Sequence, residues 1–399
     1  MQLLKGMRVA SFTHWLQGPA ATQYLADMGA DVIRIEAPGG SHERRWSGAG
    51  GRRVAGYGTL FLAANRNSRN MVIDLKNPEG VRAARRLILG SDVVVENYRP
   101  GVMDRLGLGY DAIRAEKPDI IFASATGYGP DGPLSKGPGQ DLLVQARAGM
   151  VAQTGEYGVR PTPIGNSGID QHGAAILALG IVGAYVRKMT TGEGARVEGS
   201  LYTACLDFMQ EGLTHYYSGR QDRSVMPRDS HLSCWYIEAP YGTYRLKDAF
   251  IVVSLNPFEK LAAALESDRL KPFVGIDQWT HRDECARVLA EVLAGFTFAE
   301  VQKRFGAHGI WYEKVQDFDE VRTDPQADYA QAFLDIPVKD ETATLVNHPI
   351  HYDGAPPPFR NMPLEPGQDT RAVLAELGYS EREIDDLVEQ GAVQVPAES

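Results

Sequence analysis

Short apolar runs rich in β-branched residues alternate with helical patterns through the first two hundred positions, and this rhythm limits the fold more than any other feature. The candidate strands span 8–13, 31–36, 71–75, 92–97 and 119–125. They are mostly apolar rather than alternating, the pattern of parallel strands covered on both faces. Helical stretches lie between them at 20–28 and 78–89, and others follow at 140–150 and 173–189. The second is well punctuated: Asn77 is placed to cap it, Pro78 suits its first position and Glu79 complements the N-terminal dipole. Strands alternating with helices mean βαβ units and a mostly parallel sheet, an α/β fold.

With 399 residues the chain exceeds one ordinary core. Its character changes near residue 206, so residues 1–206 are expected to form a large Rossmann-like domain. Residues 207–240, with Arg220, Arg223 and Arg228 among Ser, Gly, Asp and Pro, read as a linker. A smaller α+β domain is expected at 241–309, opening with a hairpin at 241–246 and 250–255. Residues 310–399 read as a proline-rich return to the large domain with two terminal helices, the last opened by a capping box from Ser380 to Glu383.

Against 41 basic residues stand 51 acidic ones, a net charge of −10. That argues against a broad footprint for nucleic acid or an anionic membrane, and leaves room for a local basic pocket. Cys205, Cys234 and Cys285 are far apart and odd in number, which fits a reducing compartment. The first residues lack a secretory signal pattern. The longest uncharged apolar stretch, 173–186, falls short of the roughly 18 residues a span needs and reads as a buried helix. A cytoplasmic protein without a membrane segment is expected.

Gly127, Gly129 and Gly132 form a literal G-x-G-x-x-G after a strand, but Pro130 and Pro133 interrupt it before any helix starts. A dinucleotide fingerprint must open a helix, so a nucleotide-binding oxidoreductase is disfavoured. His348 with His351, and His231 with Cys234, lack further ligands at metal spacing; they read as surface groups, and no metal is expected. The segment 165–168 falls one residue short of a nucleophile elbow, without an assignable base. Asp170 precedes an apolar helix whose first turn holds Gly173, Ala174 and Ala175. Its plain reading is an N-cap, held ionised by the helix dipole. The small residues leave space beside it for a ligand, and an ionised carboxylate in a dry crevice is also a nucleophile. Asn97, Tyr98 and Arg99, followed by Arg105, mark a strand end that turns through Pro100-Gly101, where ligands of open α/β sheets bind. Taken alone, these arginines fit an anion site and an exposed loop equally well.

Together these residues carry a resemblance. The chain is similar to the family III CoA-transferases, the formyl-CoA and carnitine CoA-transferase group with a CaiB/BaiF-like fold. The similarity runs in order through Leu4, Gly6 and Val9; Gly18-Pro19; 25–36; Asn65-Arg66; 73–80; 96–101; 105–109; 191–194; Asp324-Pro325; and 374–379. It implies a Rossmann-like large domain, a smaller α+β domain and an intertwined homodimer. It also implies that CoA passes from an acyl-CoA to a small carboxylic acid, with no tightly bound cofactor. Asp170 matches the family's nucleophilic aspartate. His14, Gln17, Ile73, Lys76, Asn97, Tyr98, Arg99 and Arg105 match its CoA contacts, and Gln17 and Gln140 its substrate contacts.

There are departures. Ala37 and Pro138 stand where some members carry an arginine and a lysine, and Leu16 and Gln17 compete for one glutamine position. The glycine-rich lid of formyl-CoA transferase is missing, since 228–236 has the wrong composition. Donor and acceptor are left open. The α-methylacyl-CoA racemases share the fold but need a histidine where this chain has Gln140, which takes up no proton at neutral pH. A non-catalytic binding protein is disfavoured by Asp170.

Overall fold

The computed structural model describes residues 2–396. They divide into two compact units. One takes in the described residues up to Val144, Ser167–Phe208 and the chain from Pro325 on; the other takes in Gln145–Asn166 and Met209–Asp324.

The first unit is built on one large sheet. Its parallel strands are β1 (Arg8–Phe12), β2 (Asp31–Glu36), β3 (Arg69–Ile73), β4 (Val93–Glu96), β5 (Ile121–Thr126) and β6 (Ala195–Ser200). In space they run β3-β2-β1-β4-β5-β6, and a short strand, Val393–Gln394, closes the β3 edge antiparallel with Val393 opposite Ile73. Strand residues alternate between two cores. Ala10, Phe12, Val94 and Phe122 face the helices Pro78–Leu89, Thr370–Glu376 and Glu381–Glu389. Val9, Val93, Val95, Ile121 and Ala123 face the helices Gln17–Asp27 and Gly168–Thr191. Burial on both faces explains the near-continuous apolar strand runs. β6 escapes that pattern because it is an edge strand, with Arg196 and Glu198 turned to solvent.

Order follows from chain direction. The strands step outward from β1 through β2 to β3, and then return to β1's other side with β4. The reversal puts a topological switch point at the carboxyl ends of β1 and β4, the place where sheets of this kind bind ligands. The helix expected from 173 begins at Gly168, and only one side of it is buried: Leu177, Ala178 and Ile181 lie inside, while Ile176, Leu179, Val186 and Met189 are exposed.

His348 corrects the surface-histidine reading. It is buried, with Nδ1 3.3 Å from Asp27 Oδ2, and the same carboxylate accepts from Arg66 Nη2 at 2.7 Å and, through Oδ1, from Asn67 Nδ2 at 2.7 Å. Residues more than three hundred positions apart in sequence satisfy one buried charge. His231 is half-buried on Asp229, and the exposed His351 meets the Ala330 carbonyl.

The second unit carries an antiparallel sheet of β7 (Gly242–Arg245), β8 (Phe250–Val253) and β9 (Tyr312–Lys314). Tyr244, Ile251, Phe258, Leu289 and Phe305 lie in its core. Gly309 ends a helix in the left-handed conformation, and β9 follows it to extend the sheet. The segment 207–240 contains the helix Gln210–Ser218 and a loop organised by two buried arginines. Arg228 donates to the carbonyls of Gln153, Gly155 and Leu232, which ties 145–166 into this unit. Arg282 donates to those of Val225, Pro227 and Trp235.

Candidate active site

β1 ends in a turn that carries His14, Trp15 and Gln17 at the switch point. The backbone N–H of His14 donates to Asn97 Oδ1 at 3.0 Å, and Asn97 Nδ2 donates back to the His14 carbonyl at 2.7 Å. Asn97 thus joins the ends of β1 and β4. The His14 ring stacks on Tyr98 at 5.6 Å. Burial holds the imidazole below its ordinary pKa and, with Glu96 nearby, pushes the Tyr98 phenol up to about 12. Near neutral pH both rings are uncharged.

Asp170 stands in the first turn of the helix Gly168–Thr191, whose N-cap is Ser167. The expected N-cap role therefore passes to another residue. Asp141, itself buried, accepts the N–H of Ile169 at 2.8 Å and that of Asp170 at 2.9 Å through Oδ2. It satisfies two orphan donors and takes the stabilisation that a helix N-terminus offers an anion. Asp170 is left beside a second carboxylate. Burial, and then Asp141, raise its pKa from 3.8 to about 7. The expectation that the dipole keeps Asp170 ionised is thus overturned; near pH 7 it is divided between acid and carboxylate.

One turn further on, the space left by Gly173 is already filled. A Cβ there would come within 2.8 Å of Gln17 Nε2. Gln17 is buried, and its Nε2 has no hydrogen-bond partner. An unsatisfied buried amide costs about 1–3 kcal/mol, so it marks a position awaiting an acceptor. Residues at i and i+3 share a helix face, so this amide lies on the side that Asp170 presents.

The other expected contacts line the same edge. Arg99 is exposed on the turn after β4, and Arg105 is exposed at the end of the short helix Val102–Arg105, with its Nη1 close over Gly101. Arg99 and Gly101 border a cavity of about 200 Å³ with Glu96, Ser124, Thr126 and Arg196. Lys76 is exposed just beyond β3; Ile73 is buried in the core opposite Val393 and presents no side chain to a ligand. Gln140 is exposed and directly precedes Asp141. The glycine motif opens no helix. Gly127 and Gly139 meet backbone to backbone, since a Cβ on Gly139 would lie 2.3 Å from Gly127 Cα, and the next helix begins at Asp141.

A strand reversal, a buried carboxylate and two arginines at one sheet edge suit an anionic ligand. The family model for CoA-transferase family III matches residues 4–370. The chain belongs to CoA-transferase family III. This transferase is 29% identical to the succinyl-CoA:glutarate CoA-transferase of Mus musculus, over 99% of its own chain and 91% of the mouse protein. It is 30% identical to the succinyl-CoA:mesaconate CoA-transferase of Haloarcula hispanica, over 91% and 94%. The crystal structure of a CAIB/BAIF family protein from Brucella suis superposes with a TM-score of 0.80 at 25% identity, covering 94% of this transferase and 99% of that chain. As a CoA-transferase, the enzyme takes CoA thioesters as substrates.

Motif reading of the transferase missed two carboxylates. Asp141 has one available signal, an acidic residue opening a helix. Glu43 gave none: its partners, Arg34 and the Trp15 backbone, are set by tertiary structure.

Proposed function

We propose that this enzyme moves CoA from an acyl-CoA to a free carboxylic acid through covalent intermediates on Asp170. The Asp170 carboxylate attacks the thioester carbonyl carbon; the C–S bond breaks, leaving a mixed anhydride and CoA thiolate. The thiolate then attacks the Asp170 carbonyl carbon, which releases the donor acid and forms an aspartyl-CoA thioester. The acceptor carboxylate attacks that thioester, a second anhydride forms, and thiolate returns to the acceptor's carbonyl and frees Asp170. Each step exchanges one acyl bond for another of similar kind, with no net proton transfer.

The observation that carries this reading is the unpartnered Gln17 amide on the Asp170 face of the helix. In each step negative charge grows on a carbonyl oxygen, and a preorganised donor there stabilises the transition state. Asn97 orders the turn, while Arg99, Arg105 and Lys76 receive the phosphates of CoA. The relatives are named for glutarate and mesaconate, so the acceptor is proposed to be a dicarboxylic acid. A second copy of the chain, as an intertwined homodimer, is proposed to cover the outward Ile176, Leu179, Val186 and Met189, and the enzyme is proposed to act in the cytoplasm. Sedimentation as a monomer would remove the dimer from this scheme. The decisive experiment is incubation with a panel of acyl-CoAs and mass spectrometry of the Asp170 peptide. An acyl or CoA adduct, lost in Asp170→Ala, is expected. Transfer at the normal rate by Asp170→Ala refutes the relay.

A further inference from the structure

Trp15 has a φ of 64°, in the left-handed region that side chains other than glycine rarely enter. Such conformations persist only where the surroundings over-determine them, and they concentrate at functional sites. Here the surroundings can be named. The Trp15 N–H donates to Glu43 Oε1 at 3.2 Å, immediately after the His14 N–H has been taken by Asn97. The Trp15 ring lies 5.4 Å from His42 and meets Trp46 edge-on at 6.1 Å.

Glu43 is itself fixed. Its side chain is 1% exposed and paired with the guanidinium of Arg34, which also donates to Ser41 Oγ at 2.9 Å and approaches Glu36 at 3.6 Å. The charges acting on the His14 imidazole are those of Glu43 and Arg34. A buried ion pair behind β2 therefore ends on the backbone of the turn that carries His14 and Gln17.

We propose that Glu43 is a positioning residue for the transferase: it holds Trp15 left-handed so that the Gln17 amide reaches the face of Asp170. Without its carboxylate acceptor, Trp15 returns to ordinary φ and the chain after it changes direction. His14 stays tethered by Asn97, and Gln17 leaves the bare Cα of Gly173. The catalytic consequence rests on the Asp170 relay proposed above, whereas the conformational one does not.

The test uses the full chain, succinyl-CoA as the probe, and three variants: Glu43→Leu, Glu43→Leu with Trp15→Gly, and Trp15→Pro. The first leaves no side-chain acceptor at position 43. The last removes the donor and forbids positive φ while leaving the Arg34–Glu43 pair intact, so it serves even where Glu43→Leu does not fold. Glu43→Leu and Trp15→Pro are expected to slow single-turnover labelling of Asp170 by about 10- to 100-fold, the cost of misplacing a group at the reacting centre by roughly 1 Å. The Kd for free CoA should change by less than about threefold, because the phosphate-binding turn after β4 is untouched. Glycine at position 15 adopts positive φ unaided and should restore at least about tenfold of the loss in the Glu43→Leu background. Crystal structures of the single variants should show residue 15 at negative φ. Folded variants that label at the wild-type rate, absence of rescue by glycine, or an unchanged left-handed Trp15 in Glu43→Leu would each overturn the proposal. If the wild type forms no adduct with any acyl-CoA of the panel, the relay falls, and the conformation of residue 15 alone decides the clamp.

Discussion

Asp170→Asn should make this protein more stable while abolishing its chemistry, and the gain should depend on pH in a calculable way. Burial beside Asp141 raises the Asp170 pKa from 3.8 to about 7. Between those values the folded chain keeps a proton that the unfolded chain releases, so stability falls as pH rises. Below pH 3.8 the penalty is absent, and above about pH 7 it is complete. One pH unit in this window corresponds to about 1.4 kcal/mol, and the window spans roughly three, so ionised Asp170 costs about 4 kcal/mol at pH 8. Asparagine is nearly isosteric and never ionises, and its N–H still donates to Asp141. Urea midpoints of the two proteins, measured from pH 4 to pH 8.5, should coincide at the acid end and diverge steadily up to pH 7. They should then run parallel, with the variant the more stable. A constant difference across that range, or a less stable variant at pH 8, would refute the assigned environment of Asp170.

In the proposed relay the same ionisation governs the chemistry: labelling of Asp170 by an acyl-CoA should rise about tenfold per pH unit up to about pH 7 and then level off, since only the carboxylate attacks. Asp141→Asn removes the neighbouring negative charge, so the midpoint of that profile should move to lower pH; a move upward contradicts the pairing. Gly173→Ala places a methyl 2.8 Å from Gln17 Nε2, and the labelling rate should fall by about 10- to 100-fold, much as in Gln17→Ala, although alanine favours the helix. An unimpaired Gly173→Ala enzyme would show that the amide is not needed there. Arg99→Gln and Arg105→Gln should each raise the Kd for CoA by about 10- to 100-fold, the loss of a charge-assisted hydrogen bond, and the defect should diminish in high salt.

The central strands were legible because their apolar runs report burial on both faces, and the helix Pro78–Leu89 because Asn77 and Pro78 announce it. β6 was not: an edge strand with Arg196 and Glu198 facing water lacks the apolar run that marks a buried strand. The hairpin Phe333–Val338 with Glu341–Val346 was read as return linker, since its inner residues pack on Tyr57, Phe61 and Leu62 from far upstream. At the site, Asp170 and the turn after β4 could be found because they belong to local motifs. The protonation of Asp170 could not, because it depends on a carboxylate 29 positions earlier that reaches across to cap the helix. Local pattern names the candidate groups; their electrostatics come from partners that only the fold brings together.

The contact of Gly127 with Gly139 pinches the chain into a neck, with Asp141 just outside it. Whatever the intervening residues do, the backbone re-enters at nearly the point where it left. The tip from 128 to 138 can therefore be exchanged as a cassette, lengthened or rewritten between two glycines that stay in place. A scaffold with such a neck can vary this loop without moving Asp141 or the helix start that it caps.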